Sequence, residues 1–232
     1  MSFKSVVFVC VLSLVSWQAY AHVSVANGPH FSGKRSVITL NVPHGCEGSD
    51  TYRIEVDLPE GLTGTRPMDN SLGKATIEKD NEDNVVKLIW TKIDGALLDD
   101  DTHLYQVTFR GMLEINPFTT AYFPTVQFCR SSDGVESTNE WVGISAGHNH
   151  GGGAETKPAP AMMVYPERYV GWNVYTIDEH VHDLSVFADA EIVWVGNSAY
   201  SANPNTRAQI ENDASVDLLD AIHRGTEVWV KY

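Results

Sequence analysis

Basic residues are scarce in this chain of 232 residues, which has 16 lysines and arginines against 30 aspartates and glutamates and a formal net charge of -14. A surface with so little positive charge does not attract the phosphates of nucleic acids or of anionic lipids. The composition therefore argues against nucleic-acid and anionic-membrane partners.

Long apolar runs are absent except at the N terminus, where residues 5–15 read SVVFVCVLSLV after the basic Lys4. The run is too short for a resident membrane helix. Ala21 is the second alanine of an A-x-A cleavage pattern. We therefore predict a signal peptide over residues 1–21, cut before His22, and a periplasmic or secreted protein without a transmembrane anchor. An uncleaved anchor is the alternative.

Cysteine is rare, with three in the chain, and Cys10 lies inside the predicted signal peptide. Cys46 and Cys129 remain, and such a pair in an oxidising compartment favours one disulfide. The bridge would close a loop of 84 residues, both ends included, and the chain-entropy model gives it a stabilisation of about 4.5 kcal/mol. A thiolate pair that binds a soft metal is the alternative.

Several catalytic motifs are missing as well. The chain has no G-x-S-x-G, no phosphate-binding loop and no H-E-x-x-H. These absences argue against the serine hydrolases, nucleotide phosphatases and zinc proteases that carry those motifs. We expect a protein that is not an enzyme.

Short alternating segments dominate residues 22–145. In RSVITLNV, residues 35–42, apolar Ile38, Leu40 and Val42 alternate with polar neighbours, as expected of a half-buried strand. TYRIEVDL, NVVKLIW, LYQVTFRGML, AYFPTVQF and EWVGI follow, with turn-rich stretches between them. The pattern predicts a mainly β fold, an antiparallel β-sandwich of immunoglobulin-like size.

The composition changes after residue 145. Residues 146–161 are rich in glycine, alanine and proline, which is typical of a linker. Residues 162–232 contain the strand-like GWNVYTI, AEIVWVG and TEVWVKY and a helix-like pattern in the second part of residues 206–225. We predict a small C-terminal α+β unit and expect its tryptophans to form its core, with a binding surface as the alternative. They are Trp172, Trp194 and Trp229.

An N-terminal histidine has a specific chemical property. After the predicted cleavage, the α-amine and the imidazole Nδ1 of His22 can bind one metal ion in a six-membered ring. The amine has an ordinary pKa of about 7.7 to 8.0, so it loses its proton readily to a metal. Nitrogen donors favour Cu(II) among the divalent first-row ions. The alternative is that the first residue of the mature chain has no such role.

Several motifs in residues 22–164 resemble the YcnI-like copper-binding domain family. They are AHVSV at residues 21–25, NVPHGCEGSDTYRIEVDLPEGL at 41–62, VTFRGML at 107–113, AYFPTVQFC at 121–129, NEWVGI at 139–144 and KPAPAMMV at 157–164. The resemblance implies an immunoglobulin-like or cupredoxin-like β-sandwich. It also implies an exported Cu(II)-binding protein that exchanges copper with trafficking proteins of the cell envelope.

The resemblance further implies the ligand set, which combines the N-terminal amine and imidazole with a carboxylate and a nearby tryptophan. In this sequence His22 would provide the amine and the imidazole, and Trp141 would be the nearby tryptophan. Glu47 is the first choice for the carboxylate. Asp50 and Glu55 in the same strand and turn are the alternatives for the carboxylate, and His44 could be a further ligand or a group that supports the ligands. Taken without the resemblance, Trp141 would be interpreted as a core residue of the sandwich.

Two His-x-His pairs lie outside the matched motifs. His148 and His150 belong to the predicted linker, where weak metal binding or plain solvation is expected. His180 and His182 are flanked by acidic residues. On a strand both would face one way and could form a second metal site, whereas in a loop both would be solvated.

Two other functions remain open at the sequence level. A copper-dependent oxidase or monooxygenase would need a second histidine beside His22; His30, His44 and His103 are candidates, but none lies in a matching motif. A docking module without a metal would bind a protein partner equally well in the absence of copper.

Overall fold

The structure is a computed structural model that describes residues 22–144 and 157–232. The predicted signal peptide with its cleavage at Ala21 lies outside the described residues, as do His148 and His150. Strands dominate, and the protein is mainly β with a smaller C-terminal α+β unit. The strands of the first region are β1 Ser24–Val25, β2 His30–Phe31, β3 Arg35–Val42, β4 Asp50–Asp57, β5 Leu62–Pro67, β6 Lys74–Lys79, β7 Val85–Thr91, β8 Tyr105–Leu113, β9 Thr119–Tyr122, β10 Thr125–Arg130, β11 Glu136–Gly143, β12 Lys157–Pro158 and β13 Ala161–Tyr165.

Two sheets face each other in this first region. One has the strand order β1-β3-β8-β5 and the other the order β12-β11-β10-β4-β7-β6. The predicted alternation holds, since Ile38, Leu40 and Val42 of β3 are fully buried and contribute to the core between the sheets. Trp90 is also fully buried, and its Nε1 donates a hydrogen bond of 2.8 Å to the carbonyl of Met68. The predicted β-sandwich is confirmed.

Some features of the sandwich were not expected from the sequence, among them β5 and the following two. Pro124 divides the segment AYFPTVQF into β9 and β10, which belong to different sheets, because proline has no N–H for a strand ladder. β6 was not predicted at all. It is an edge strand with almost every side chain exposed, so it lacks the apolar alternation that identifies a half-buried strand.

Residues 157–165 pair with the sandwich. β12 runs parallel to β11, with Trp141 opposite Lys157. β13 lies between β2 and β9 in a three-stranded sheet. The end of the predicted linker and the first residues assigned to the C-terminal unit therefore belong to the first region.

The C-terminal unit is built on a five-stranded sheet, whose strands lie in the order Trp172–Thr176, Glu227–Lys231, Ile192–Val195, Ser198–Tyr200 and Asp217–Leu218. Its core includes Phe187, Val193, Val228 and Val230, and Phe118 of the sandwich is part of it, with its ring centroid 5.1 Å from that of Phe187. The hydrophobic core of this unit thus extends to the sandwich. Its elements are β14 Trp172–Thr176, a 3-10 helix Leu184–Phe187, β15 Ile192–Val195, β16 Ser198–Tyr200, the helix α1 Pro204–Asn212, β17 Asp217–Leu218 and β18 Glu227–Lys231.

The helix lies earlier than predicted. The side chain of Asn203 accepts a hydrogen bond of 2.9 Å from the backbone N–H of Asn205, and Pro204 occupies the first turn, so α1 begins there. The second part of the pattern is extended instead, because Leu219 and Ile222 pack into the core as strand-like residues. A spacing of three residues between apolar side chains therefore does not distinguish a helix from an extended segment.

The prediction that tryptophans form the core of the C-terminal unit was also wrong. Trp172 is 52% exposed and Trp229 is 46% exposed, while Trp194 is half-buried. Trp194 lies directly opposite Trp229 on the neighbouring strand. Small aliphatic residues on the opposite face of the same sheet fill the core.

No helix in residues 22–144 or 157–232 combines the length and the apolar character that a membrane span requires.

Candidate metal site

His22 lies against Trp141 at the beginning of the sandwich. The ring centroids are 5.2 Å apart and the planes meet at 81°, an edge-to-face contact. Val23 is buried in the core, and β1 pairs with β3 from Ser24 onward. These neighbours fix the backbone that carries the histidine, and the Nδ1 atom of His22 is enclosed.

Trp141 is both a core residue and the neighbour of His22. It is 6% exposed and belongs to the sandwich core. Its Nε1 lies 3.4 Å from Oε1 of the buried Gln127. The Nζ of Lys157 lies 4.8 Å from the centroid of the indole. The ring is therefore held on several sides, and its orientation toward His22 is determined by the fold.

Gln127 connects this tryptophan to the turn that follows β3. Its Nε2 donates hydrogen bonds of 2.6 Å to the carbonyl of His44 and 2.8 Å to Oγ1 of Thr51. The His44 ring itself is exposed, with Nδ1 2.5 Å from the carbonyl oxygen of Gly45. The backbone of His44 thus stabilises the site, while its imidazole points to its own turn.

Glu47 occupies a tight turn. Cys46 and Ser49 exchange backbone hydrogen bonds of 2.9 Å in both directions, and Glu47 and Gly48 between them have φ angles of 47° and 91°. Positive φ at both central positions is the pattern of a type I′ turn. The turn exposes the Glu47 side chain to solvent. Glu47 is therefore accessible to a metal ion, and it has no ion pair with a residue of the described ranges 22–144 and 157–232 that a metal ion would have to break.

The predicted disulfide between Cys46 and Cys129 is confirmed, with an S–S distance of 2.04 Å. Cys129 lies on β10, next to the strand that carries Trp141. The bridge therefore ties the Glu47 turn to the sheet that holds the tryptophan. Two bridged cysteines are not available as thiolate ligands.

Asp50 has a different role from the one considered for it. It is 1% exposed, and it accepts hydrogen bonds from Lys92, from the backbone N–H of Leu98 at 2.8 Å and from the Tyr105 hydroxyl at 2.7 Å. Burial and the neighbouring Asp50 carboxylate raise the pKa of Tyr105, so that its hydroxyl stays a donor. The Asp50 carboxylate is thus engaged in hydrogen bonds inside the protein and is not placed to bind a metal ion.

Glu55 is occupied as well. It pairs with Arg53 and, at 3.4 Å, with Lys87, and its side chain is 15% exposed. Two of the three candidate carboxylates therefore already have cationic partners, which leaves Glu47 as the carboxylate with the fewest competing contacts.

No three His, Cys, Asp or Glu side chains in the described ranges 22–144 and 157–232 are grouped so that they could hold a metal ion. The predicted site uses only two such side chains, His22 and one carboxylate. Its third protein donor is the α-amine, which exists only after cleavage behind Ala21.

The C-terminal unit brings three histidines together. The ring centroid of His180 is 4.1 Å from that of His182 and 4.5 Å from that of His223. The sequence indicated the first two by their spacing. His223 lies 43 residues beyond His180, and no local pattern connected it to them.

Comparison with known proteins found solved structures that are similar to this chain. A structure from Nocardia farcinica, an uncharacterised protein with an immunoglobulin-like fold, superposes with a TM-score of 0.50 at 22% identity over 62% of this chain and 99% of that one. A cohesin module of a Clostridium perfringens family 33 glycoside hydrolase aligns with a TM-score of 0.35 at 14% identity, over 63% of this chain and 96% of that one. No curated protein matches the chain.

The first of these structures confirms the immunoglobulin-like fold. Residues 22–164 match a family described as "Domain of unknown function (DUF1775)", the domain family that includes YcnI-like copper proteins. The matched range begins at His22 and ends on β13. The chain therefore belongs to the DUF1775 family.

Proposed function

We propose that this protein is an exported Cu(II)-binding protein that holds one copper ion at the N terminus of its sandwich and exchanges it with copper-trafficking proteins of the periplasm or cell surface. The contact between His22 and Trp141 carries the proposal. It joins the one histidine that cleavage would make bidentate to the tryptophan that the family resemblance implies.

The donor set suits Cu(II). The amine and Nδ1 of His22 provide two nitrogens, and the ion prefers nitrogen and carboxylate donors in a near-planar set. Glu47 is the favoured carboxylate because its turn is exposed and fixed by the disulfide. The Trp141 indole forms an apolar wall beside the site, which limits the access of water and adds a cation–π attraction of about 1 kcal/mol.

The location at the edge of the sandwich suits transfer. An α-amine at a chain terminus can be approached by a partner from outside, whereas a site inside the core could not. The disulfide is consistent with an oxidising compartment.

The test compares two forms of the mature chain. One begins at His22, and the other carries a single additional alanine before it, which converts the amine into an amide and keeps every side chain. We expect the first to bind one equivalent of Cu(II), with tryptophan quenching and a type 2 electron paramagnetic resonance signal. The second should bind at least about 100-fold more weakly, since a direct ligand is lost.

Equal affinities for the two forms would overturn the proposal. The Cu(II) affinity of the Glu47→Gln variant, in the chain that begins at His22, tests whether Glu47 is the carboxylate ligand, and we expect this affinity to fall. Glu60→Gln is its matched control, because Glu60 is likewise exposed on the sandwich and is not a proposed ligand.

An oxidising enzyme is the competing function for a copper site. Reductant-dependent peroxide production by the copper-loaded chain distinguishes the two: we expect it to remain at the level of free Cu(II), and rapid turnover would favour the enzyme.

The exposed tryptophans favour a second candidate, a docking module. Trp172, Trp194 and Trp229 line one shallow surface depression with Gly196, and exposed aromatic patches often mark interaction sites. A docking role predicts that a protein partner binds copper-free and copper-loaded chains with equal affinity and that Trp172→Ala together with Trp229→Ala abolishes the complex. Copper-dependent binding that survives both substitutions would argue for the copper role alone.

A further inference from the structure

The backbone places three histidines on one face of the C-terminal unit. Val181 and Ile222 exchange two backbone hydrogen bonds of 2.9 Å as an antiparallel bridge, and both side chains are buried. Side chains alternate along an extended chain, so the residues on either side of a buried position point outward. His180, His182 and His223 are such neighbours, and all three are exposed.

The register of the bridge sets the spacing of these side chains. With Val181 opposite Ile222 in an antiparallel pair, His180 falls opposite His223. Directly opposite residues of such a pair have Cβ atoms about 4.5–5.5 Å apart. His182 is two residues from His180 on the same face, and the residue opposite it is Ala221.

The distance between two nitrogens fits a shared metal ion. Nδ1 of His180 and Nδ1 of His223 are 3.1 Å apart and share a hydrogen bond, which an ion bound between them would replace. Two histidine nitrogens bound to one ion at about 2.05 Å and separated by this distance subtend an angle of about 98° at the metal. That angle lies between the roughly 90° of square-planar and the roughly 109° of tetrahedral coordination.

The third ring is close but not aligned. The His182 centroid lies 4.1 Å from that of His180, with the planes inclined by 36°. Within the described residues no three side chains already form a metal-binding group. A rotation of the exposed His182 side chain is the adjustment that adds the third nitrogen.

The local charge favours a cation. Asp178 and Asp220 are exposed beside the cluster in sequence and supply negative charge near an incoming ion.

We propose that His180, His182 and His223 form a second metal site, which binds a divalent cation of the Cu(II) and Zn(II) type. Imidazole donors suit these ions, whereas Mg²⁺ and Ca²⁺ prefer oxygen ligands. The site lies on the C-terminal unit, beyond the residues matched by the family. It is independent of the site proposed at His22.

The test uses the full mature chain with His22→Ala, so that the N-terminal site does not contribute. Zn(II) is titrated while the histidine side chains are followed by ¹H–¹⁵N spectra optimised for imidazole nitrogens. We expect the signals of His180 and His223 to shift with about one equivalent of Zn(II). Cu(II) should compete for the same site, as its place in the order of metal affinities requires.

The decisive variant is His223→Ala in that background, which should weaken Zn(II) binding at least about tenfold. His103→Ala is the matched control, because His103 is also exposed but lies on the sandwich, and it should leave the affinity unchanged. Unshifted signals of His180 and His223 in excess Zn(II), or an unchanged affinity in His223→Ala, would overturn the proposal. The alanine-extended chain tests the His22 site separately, so either proposal can fail alone.

Discussion

The imidazole of His22 meets the indole of Trp141 edge to face, with the ring centroids 5.2 Å apart. Trp141 is also buried in the sandwich core and contacts Gln127 through its Nε1. The same side chain therefore links the stability of the sandwich to the geometry of the proposed metal site.

Replacing Trp141 with phenylalanine separates these two roles. The variant keeps an apolar ring but loses the indole N–H and part of the ring beside His22. We expect Cu(II) affinity to fall about fivefold, which corresponds to the loss of about 1 kcal/mol of cation–π attraction. Quenching of the remaining tryptophan fluorescence by Cu(II) should also decrease. An affinity and a quenching amplitude equal to those of the wild type would show that the indole does not contact the ion.

Asp50→Asn tests whether this carboxylate is structural. The Asp50 side chain is 1% exposed and pairs with the buried Lys92. The substitution therefore leaves Lys92 without its charged partner. Breaking a buried ion pair costs about 3–5 kcal/mol, which denaturant unfolding would measure. Cu(II) affinity at pH 7 should not change in the folded variant. A loss of copper binding without a loss of stability would instead make Asp50 a ligand.

Removal of the disulfide should weaken the fold. The bridge closes a long loop, since its cysteines are 83 positions apart in sequence, and the chain-entropy model predicts a loss of about 4.5 kcal/mol for Cys46→Ala with Cys129→Ala. Guanidinium unfolding of this variant and of the wild type provides the comparison. The Glu47 turn also loses its tie to β10, so Cu(II) binding should weaken. An unchanged midpoint would show that strand pairing alone holds the turn.

Acid should destabilise the sandwich through His30. This residue is 5% exposed with Nε2 2.9 Å from the carbonyl oxygen of Asn27, and burial lowers its pKa. The unfolded chain then binds a proton more readily than the folded one. The stabilisation is therefore complete above the unfolded pKa of about 6.5 and is lost as the pH falls from there toward the folded pKa.

The measurement is the free energy of unfolding between pH 7.5 and pH 5 in wild type and in His30→Gln, whose amide can still donate to Asn27. We expect the variant to show the weaker pH dependence in this window, by less than about 1.4 kcal/mol per pH unit. His103→Gln, on an exposed histidine, is the control. Parallel curves for wild type and His30→Gln would remove His30 as the cause.

The two kinds of tryptophan should differ in their contribution to stability. Trp90 is fully buried and Trp229 is 46% exposed. Trp90→Ala should cost about 3–5 kcal/mol, as large core truncations do, whereas Trp229→Ala should cost less than about 1 kcal/mol. Thermal unfolding of both variants checks this. A large loss for Trp229→Ala would mean that the exposed aromatic face contributes to the fold.

The strands of the sandwich could be predicted where one face is buried. RSVITLNV shows the alternation in its own residues, and the structure buries the expected face. The prediction of secondary structure failed where the local sequence pattern does not reflect which residues are buried in the folded protein. β6 has hardly any buried residue to reveal it, and the helix-like spacing of Leu219 and Ile222 is satisfied equally well by extended chain packed on the C-terminal core.

The candidate sites divide in the same way. The sequence by itself determined which residues have the necessary chemistry: a histidine behind a cleavage pattern, a pair of cysteines, and His180 beside His182. Only the tertiary structure decided their use, since burial and pairing depend on residues distant in the chain. In the folded protein Asp50 forms an ion pair with Lys92, and Trp141 lies against His22. The bridge between Val181 and Ile222 brings His223 next to His180. No pattern along the chain encodes such contacts, because they arise when strands far apart in sequence pair in one register.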